Sequence, residues 1–151
     1  MAFADFLRRV RGWRLLPPAD KEFYDLFNET TAALIEASDM LINLFDTSSQ
    51  DSREIEVKIS TTALRLDCIG ESIEDLLAVA QQPPFDRGDI SEFKDDAIRI
   101  MKYIKHAANR YVVYDFPSSD KEMRELAPLI KEACEEIGKA PARPEDDRVS
   151  Q

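Results

Sequence analysis

Five acidic residues have the spacing that a metal site on helices would need. Asp67, Glu71 and Asp75 recur every four residues, and Glu92 and Asp96 are also four residues apart. In a helix this spacing places side chains on one face, one turn apart. Hard and borderline cations bind such carboxylate oxygens. The five acids are therefore weak candidate metal ligands, and a carboxylate-rich helical bundle that binds iron or another metal is one interpretation of the chain.

The same acids also fit a solvated helix face. No histidine stands at the Glu-x-x-His spacing that supplies half of the ligands of a ferritin-like di-iron centre. Arg65 and Lys102 would raise the electrostatic cost of placing a cation nearby. We therefore expect neither a metal nor any other cofactor, and the metal-binding bundle stays as the alternative function.

Histidine, the commonest general acid–base residue, is scarce in this chain. His106 is the single histidine, and its position fits a partly exposed place on a helix. The sequence contains no glycine-rich loop, nucleophile elbow or other local arrangement that would activate a nucleophile. Cys68 and Cys134 lack metal-ligand spacing and are predicted to be reduced, small apolar fillers. The sequence thus predicts a protein that is not an enzyme.

Charge is distributed unevenly along the chain. The formal net charge is −10, yet residues 1–18 contain four arginines and one aspartate (+3), which leaves 16 basic and 29 acidic residues (−13) for the remainder. Phosphate contacts dominate nucleic-acid affinity, so this acidic body predicts no nucleic-acid partner. No apolar run reaches the ~20 residues that cross a bilayer, and we expect a cytoplasmic protein.

The basic N-terminal segment, residues 1–18, alternates arginines with large apolar side chains. This composition suits a peripheral contact with anionic head groups at the inner face of the membrane, through Arg8, Arg9, Arg11, Trp13 and Arg14. The other interpretation, which we favour, packs the apolar face on the bundle or on a second subunit, because the segment is short for an isolated helix in water. The apolar set is Phe3, Phe6, Leu7, Val10, Trp13 and Leu16.

Periodicity and helix breakers predict an all-α protein. A composition of 44% hydrophobic and 33% charged residues with only 4 glycines favours amphipathic helices. Breakers and capping residues bound four helices, and short loops favour an antiparallel up-and-down helical bundle; an extended helical hairpin that dimerises is the alternative. The domains are then the segment 1–18, a bundle over 19–138 and a disordered tail over 139–151. The predicted helices cover residues 20–46, 51–82, 89–114 and 119–138.

Capping pairs mark three of the predicted helix starts, and two residues mark irregularities within the helices. An acidic or hydroxyl residue followed three residues later by glutamate can cap a helix start. Gly70 is either a soft spot or a point where another helix comes close. Pro128 is expected to kink the fourth helix. The capping pairs are Asp51 with Glu54, Asp89 with Glu92, and Ser119 with Glu122.

The third helix carries the clearest buried stripe, and the fourth repeats its stepping. Apolar residues separated by three and four positions share one helix face. The predicted third stripe is Ile90, Phe93, Ala97, Ile100, Ile104, Ala107, Tyr111 and Tyr114, with Lys94, Arg99, Lys102 and Lys105 facing outward. The predicted fourth stripe is Met123, Leu126, Ile130, Ala133 and Ile137.

Two stretches resemble a known family. LLPPADKEFYDLFNE at 15–29 and PPFDRGDI at 83–90 resemble the PhoU-like proteins usually encoded beside low-affinity, Pit-type phosphate permeases. In that family a Leu-Pro-Pro or Leu-Pro-Lys entry precedes the first helix, and a Pro-Phe-Asp-Arg-Glu-Asp-Ile turn joins helices two and three. Six of the seven positions from Pro84 to Ile90 match that turn. The turn also has a purely structural interpretation, in which Asp86 and Asp89 cap the third helix and Phe85 fixes the chain against the bundle.

The resemblance implies a PhoU-like three-helix unit plus one further helix. It implies a non-catalytic regulator of inorganic phosphate uptake that contacts a phosphate permease. Family members usually fold as two three-helix units, so we expect a homo-oligomer in which a second copy covers helices three and four. In some members of the wider family, Glu/Asp-x-x-x-Asp motifs hold iron clusters. At the matching positions this chain retains Asp67 but has Ala63, Ile98, Arg99 and Lys102.

Overall fold

The computed structural model describes residues 18–46, 49–115 and 120–139. These residues form four α-helices and contain no strand, which confirms the predicted all-α class and the bundle of about four helices. The N-terminal segment through residue 17 and the tail from residue 140 lie outside the described part of the chain, as does Ser119. The helices are α1 (Pro18–Asp46), α2 (Ser49–Val79), α3 (Arg87–Val113) and α4 (Lys121–Gly138).

Helix α1 is the centre of the fold. It packs against each of the other three helices, whereas α4 packs mainly on α1, and α2 and α3 also pack on each other. The buried arc of α1 is correspondingly wide. It includes Phe23, Tyr24, Phe27, Thr30, Thr31, Leu34, Ala37, Ser38, Leu41, Leu44 and Phe45. The architecture is thus a three-helix unit, α1–α3, with α4 added to one side of α1.

Two aromatic contacts fix the relative direction of α1 and α3. The rings of Phe27 and Phe93 are 5.1 Å apart near the start of both helices, and those of Phe45 and Tyr111 are 5.1 Å apart near their ends. Because both contacts advance in the same direction along the two helices, α1 and α3 are parallel. Burial of aromatic side chains contributes on the order of 1.5–3 kcal/mol each, so these layers are a major part of the core energy.

Helix α4 runs antiparallel to α1. Lys131 Nζ lies 2.7 Å from the Asp39 carboxylate, and the later residue Gly138 lies against the earlier residue Thr31. Ala127 and Cys134 are the buried residues of α4. The helix continues through Pro128, which is exposed.

The buried stripe of α3 differs in part from the predicted one. Five predicted members are buried, but Ile100 and Ala107 are half-buried and Tyr114 is exposed, while Met101 and Ala108 are buried instead. A strict three-four repeat drifts around a helix of 3.6 residues per turn, and α2 covers the flank that carries Met101. The predicted stripe followed the repeat onto the opposite flank. The confirmed members are Ile90, Phe93, Ala97, Ile104 and Tyr111.

Lys94 corrects the prediction that it faces outward. Its side chain is buried between α2 and α3, and the ammonium donates to the Glu74 carboxylate and lies 3.1 Å from Asp95. The bond to Glu74 raises the pKa of Lys94. A lysine can pack its aliphatic stem in an interface while its charged end remains paired at the edge, which hydrophobic periodicity alone does not detect.

The buried stripe of α4 also differs from the predicted one. Leu126 and Ala133 were expected to be buried and are exposed, while Ala127 and Cys134 hold the central line. Met123, Ile130 and Ile137 are half-buried beside that line. With only α1 beneath it, α4 buries a narrow strip, so the remainder of its wide apolar face stays accessible.

The predicted capping pairs of α2 and α3 are wrong. Helix α2 begins at Ser49, so Asp51 lies inside its first turn. Helix α3 begins at Arg87, and its N-cap is Asp86, whose carboxylate accepts from the Gly88 N–H at 2.8 Å. Asp89 therefore lies within the first turn of α3. Helix α4 begins at Lys121.

Gly70 is a point of close helix approach. A Cβ placed there would lie 3.0 Å from Ile98 Cδ1 and 3.5 Å from Lys94 Cγ, both on α3. This observation supports the second of the two sequence interpretations. In the described residues, no helix is long and apolar enough to cross a membrane.

Candidate functional site

The α2–α3 turn, which carries the family resemblance, is held by local hydrogen bonds. The Arg87 guanidinium donates to the Leu77 carbonyl at 2.5 Å and also to the Ala80 carbonyl. Carbonyls at the end of a helix lack intrahelical partners and attract cations. Arg87 therefore caps the end of α2 while Asp86 caps the start of α3.

The aromatic residue of the same turn packs against the bundle. The Phe85 ring lies 5.9 Å from Tyr24 and 6.2 Å from Phe27 on α1. This contact agrees with the predicted role of Phe85 in fixing the chain entry. Phe85, Asp86 and Arg87 of the matched turn thus each have a structural role.

The candidate metal ligands are all exposed. Asp67, Glu71 and Asp75 lie on the outer side of α2, and Glu92 and Asp96 on that of α3. Across residues 18–46, 49–115 and 120–139, no group of three or more histidine, cysteine or acidic side chains is close enough to hold a metal ion. The structure therefore does not bring the five acids together as one ligand set.

The two cysteines occupy different environments. Cys134 is buried, as predicted, and burial raises the pKa of its thiol while a hydrogen bond with Ser38 acts in the opposite direction. Cys68 is exposed, which contradicts its predicted filler role, because it lies on the side of α2 that faces away from α1 and α3. His106 is exposed on α3.

Two large apolar residues, a threonine and a cysteine form an exposed stripe on the outer side of α2. Val57, Thr61, Leu64 and Cys68 are separated by four, three and four positions, so they share one face. Val57 is 54% exposed and Leu64 is 62% exposed. We call these four residues the α2 outer stripe. Sequence reasoning missed it, although its spacing is visible in the sequence beside the stronger buried stripe of the same helix.

A second apolar surface lies between α3 and α4. On α1, Glu36 pairs with Arg65 of α2 at 2.5 Å, whereas α4 packs at Thr31 and Ile35 and pairs with Asp39. Helix α3 occupies the middle position, over Phe27 and Phe45. Helices α3 and α4 are therefore neighbours on α1, but they make no extensive contact with each other.

The facing flanks of these two helices are apolar. Helix α3 turns Lys94 and Ile98 toward α2, so its opposite flank, with Ile100, Tyr103 and Ala107, faces the α4 side. On α4, Lys131 reaches the outer flank of α1, so the other side of α4 faces α3. We call the space between them the α3–α4 groove. Its α4 wall consists of Leu126, Ile130, Ala133 and Ile137.

The residues proposed for membrane contact, Arg8, Arg9, Arg11, Trp13 and Arg14, lie outside the described residues. A scan against protein-family models finds no match to this chain, and a search of curated proteins finds no matching relative.

Proposed function

We propose that this chain is a non-catalytic regulator of inorganic phosphate uptake that acts by contact with a phosphate permease. The observation that carries the proposal is the turn over Pro84–Ile90, whose residues match the PhoU-like pattern at six of seven positions. The arrangement of the helices is compatible with it, because α1–α3 form a three-helix unit. The role of regulator comes from that resemblance and is open to direct test.

The α2 outer stripe is the surface that we assign to the permease. It projects from the three-helix unit, away from both α1 and α3, so a partner reaches it without disturbing the bundle. Contiguous exposed apolar side chains mark protein contact sites, and the core of such a site is depleted of charged residues. The central apolar residue of this surface is Leu64, which is 62% exposed.

A cell-based experiment tests the proposal. The gene is deleted, phosphate uptake is measured, and the chain is restored either unchanged or as Leu64→Asp. We expect the deletion to change the uptake rate, the unchanged chain to restore it, and Leu64→Asp to fail although it folds, because an aspartate at the centre of an apolar contact leaves a desolvated charge.

Leu129→Asp is the matched control, since Leu129 on α4 is exposed to a similar degree, 58%. It is expected to restore uptake as well as the unchanged chain does. Uptake that does not respond to deletion of the gene would remove the proposed function. Equal failure of the two variants would remove only the assignment of the surface.

A further inference from the structure

Beside the α3–α4 groove, each of these two helices carries a largely apolar stripe that no described helix covers. Both stripes have the spacing four, three and four residues, so each lies on one helix face. Tyr103 and Tyr114 are each 70% exposed, and Leu126 and Leu129 are 57% and 58% exposed. The α3 stripe is Tyr103, Ala107, Arg110 and Tyr114, and the α4 stripe is Glu122, Leu126, Leu129 and Ala133.

The two stripes lie at the same height along α1. The ring contact of Phe45 with Tyr111 places Tyr111 at the level of Phe45. On antiparallel α4, the contact of Lys131 with Asp39 and an equal rise per residue place Leu126 within about one residue of that level. Because the spacings are identical and α3 and α4 are antiparallel, the first residue of one stripe is level with the last residue of the other.

Side chains at the same level complement each other in size. Tyr103 is level with Ala133, and Ala107 is level with Leu129, so a large side chain on one helix corresponds to a small one on the other. Within one copy these side chains do not interdigitate, because α3 and α4 make no extensive contact and Tyr103 remains exposed. A second copy of the chain supplies the complementary stripe to each helix.

The charges of the two helices are complementary as well. Residues 97–113 of α3 contain four basic side chains and no acidic one, whereas α4 contains five acidic and three basic side chains. One of those bases, Lys131, pairs with Asp39 of α1. In the described part of the chain, neither Arg110 nor Glu122 has an ion-pair partner. Each stripe therefore offers one charge that is available to a second copy.

We propose that two copies of this chain associate through the α3 and α4 stripes, about a two-fold axis parallel to the helices. Such an axis places the α3 stripe of each copy on the α4 stripe of the other without a change of level. Tyr103 then packs over Ala133 of the second copy. Arg110 lies level with Leu126 of the second copy and reaches Glu122, which is one turn away.

The charges select this axis over the other two-fold arrangement of the same face. An axis across the helices would place α3 on α3 and α4 on α4, which brings like charges together. The proposal gives the homo-oligomer expected from the sequence a defined arrangement. It does not depend on the phosphate function, since the α2 outer stripe lies on another face of the molecule.

The mass of the full chain in solution tests the association. We expect light scattering after size exclusion to give about twice the 17.2 kDa of one chain at high concentration, with a decrease on dilution. Leu129→Asp is expected to stay near 17.2 kDa at every concentration, because the dimer would bury its charge. Leu64→Asp on the α2 outer stripe is the matched control, at a similar exposure of 62%, and is expected to dimerise normally.

Charge reversals test the pairing of Arg110 with Glu122. Arg110→Glu and Glu122→Arg each place like charges together, so each is expected to raise the dissociation constant of the dimer about tenfold. The double variant restores opposite charges and is expected to return the constant to near its original value. Arg53→Glu on the exposed side of α2 makes the same change in net charge as Arg110→Glu and is expected to leave the constant unchanged.

Cysteine substitutions test the direction of the axis. In a Cys68→Ser background, a Tyr103→Cys chain is mixed with an Ala133→Cys chain that carries a tag of different mass, and the mixture is gently oxidised. We expect the mixed disulfide to predominate over both symmetric ones, because α3 of one copy faces α4 of the other. Cys134 is buried and does not compete for this reaction.

Four results would overturn the proposal. A mass near 17.2 kDa for the unchanged chain at every concentration would show that the stripes do not associate. A dimer that Leu64→Asp dissociates and Leu129→Asp leaves intact would assign the contact to the α2 outer stripe. A predominant symmetric disulfide from Tyr103→Cys would mean that α3 packs on α3. A double charge variant that folds but dimerises no better than either single variant would show that Arg110 and Glu122 do not meet.

Discussion

Arg87 has the clearest individual role in the structure. Its guanidinium binds the carbonyls of Leu77 and Ala80 at the end of α2, although Arg87 itself is the first residue of α3. One side chain thereby links the end of α2 to the start of α3. The sequence predicted a turn at this place, but periodicity and capping patterns contain no signal for a side chain that reaches back across a loop.

The first prediction concerns Arg87→Ala. Loss of two hydrogen bonds to helix-terminal carbonyls is expected to lower the free energy of unfolding by about 1 kcal/mol. The expected loss is small because the arginine is exposed to water. Urea unfolding followed by circular dichroism measures it. Arg99→Ala is the control, since Arg99 only pairs with Asp96 on the surface at 3.1 Å, and it is expected to cost less than about 0.5 kcal/mol. A larger loss for the control than for Arg87→Ala would contradict this role.

The second prediction concerns the two thiols. Burial raises the pKa of Cys134, so this thiol remains neutral where an exposed thiol begins to ionise. Because the folded pKa is raised, this effect favours the folded state at neutral pH and is lost as the pH rises through the folded pKa. We expect a thiol reagent at about pH 8 to modify only Cys68 in the native protein, and both cysteines after unfolding.

Cys68→Ser provides the check on that assignment. It is expected to abolish the native reaction and to leave a single reactive thiol in denaturant. Rapid modification of Cys134 in native Cys68→Ser would show that α4 opens readily from α1.

At the level of the helices, regular periodicity predicted the helices themselves well. It predicted only in part which face of each helix is buried. The predicted buried stripe of α3 was correct at Phe93, Ala97 and Ile104, where α1 lies beneath it. It was wrong where packing against α2 buries Met101 instead. A sequence shows that a helix has an apolar face, but the neighbours decide which edge of that face is covered. Lys94 shows the same limit, because its burial depends on the acid that α2 presents to it.

The third prediction tests the central seam of α3. Ile104→Asp places a carboxylate at a position that is 3% exposed, which costs several kcal/mol whether the group stays ionised or binds a proton. We expect loss of the cooperative thermal transition or a large drop in melting temperature. Lys102→Ala, on the exposed side of α3, is the control and is expected to change stability by less than about 0.5 kcal/mol. Equal melting temperatures would show that Ile104 does not face the core.

For the whole molecule, composition and periodicity were sufficient to predict an all-α bundle, but they did not predict its asymmetry. Helix α1 is surrounded on three sides, while α4 packs mainly on α1 and leaves the α3–α4 groove. No local pattern encodes which helix is central, because that depends on tertiary contacts between distant residues. The weak metal candidates illustrate the same point. Asp67 and Asp96 have suitable spacing within their helices, yet the folded chain leaves each on an exposed surface.

The fourth prediction concerns the proposed regulation of phosphate transport, and it is tested with purified components. The phosphate permease is reconstituted in lipid vesicles with its cytoplasmic face accessible, and phosphate transport is measured while the unchanged chain or Leu64→Asp is added. We predict that the unchanged chain alters the transport rate in a saturable manner and that Leu64→Asp requires a much higher concentration for the same effect. A transport rate that stays constant at every concentration of the unchanged chain, with no binding of the chain to the permease vesicles, would contradict the proposed function.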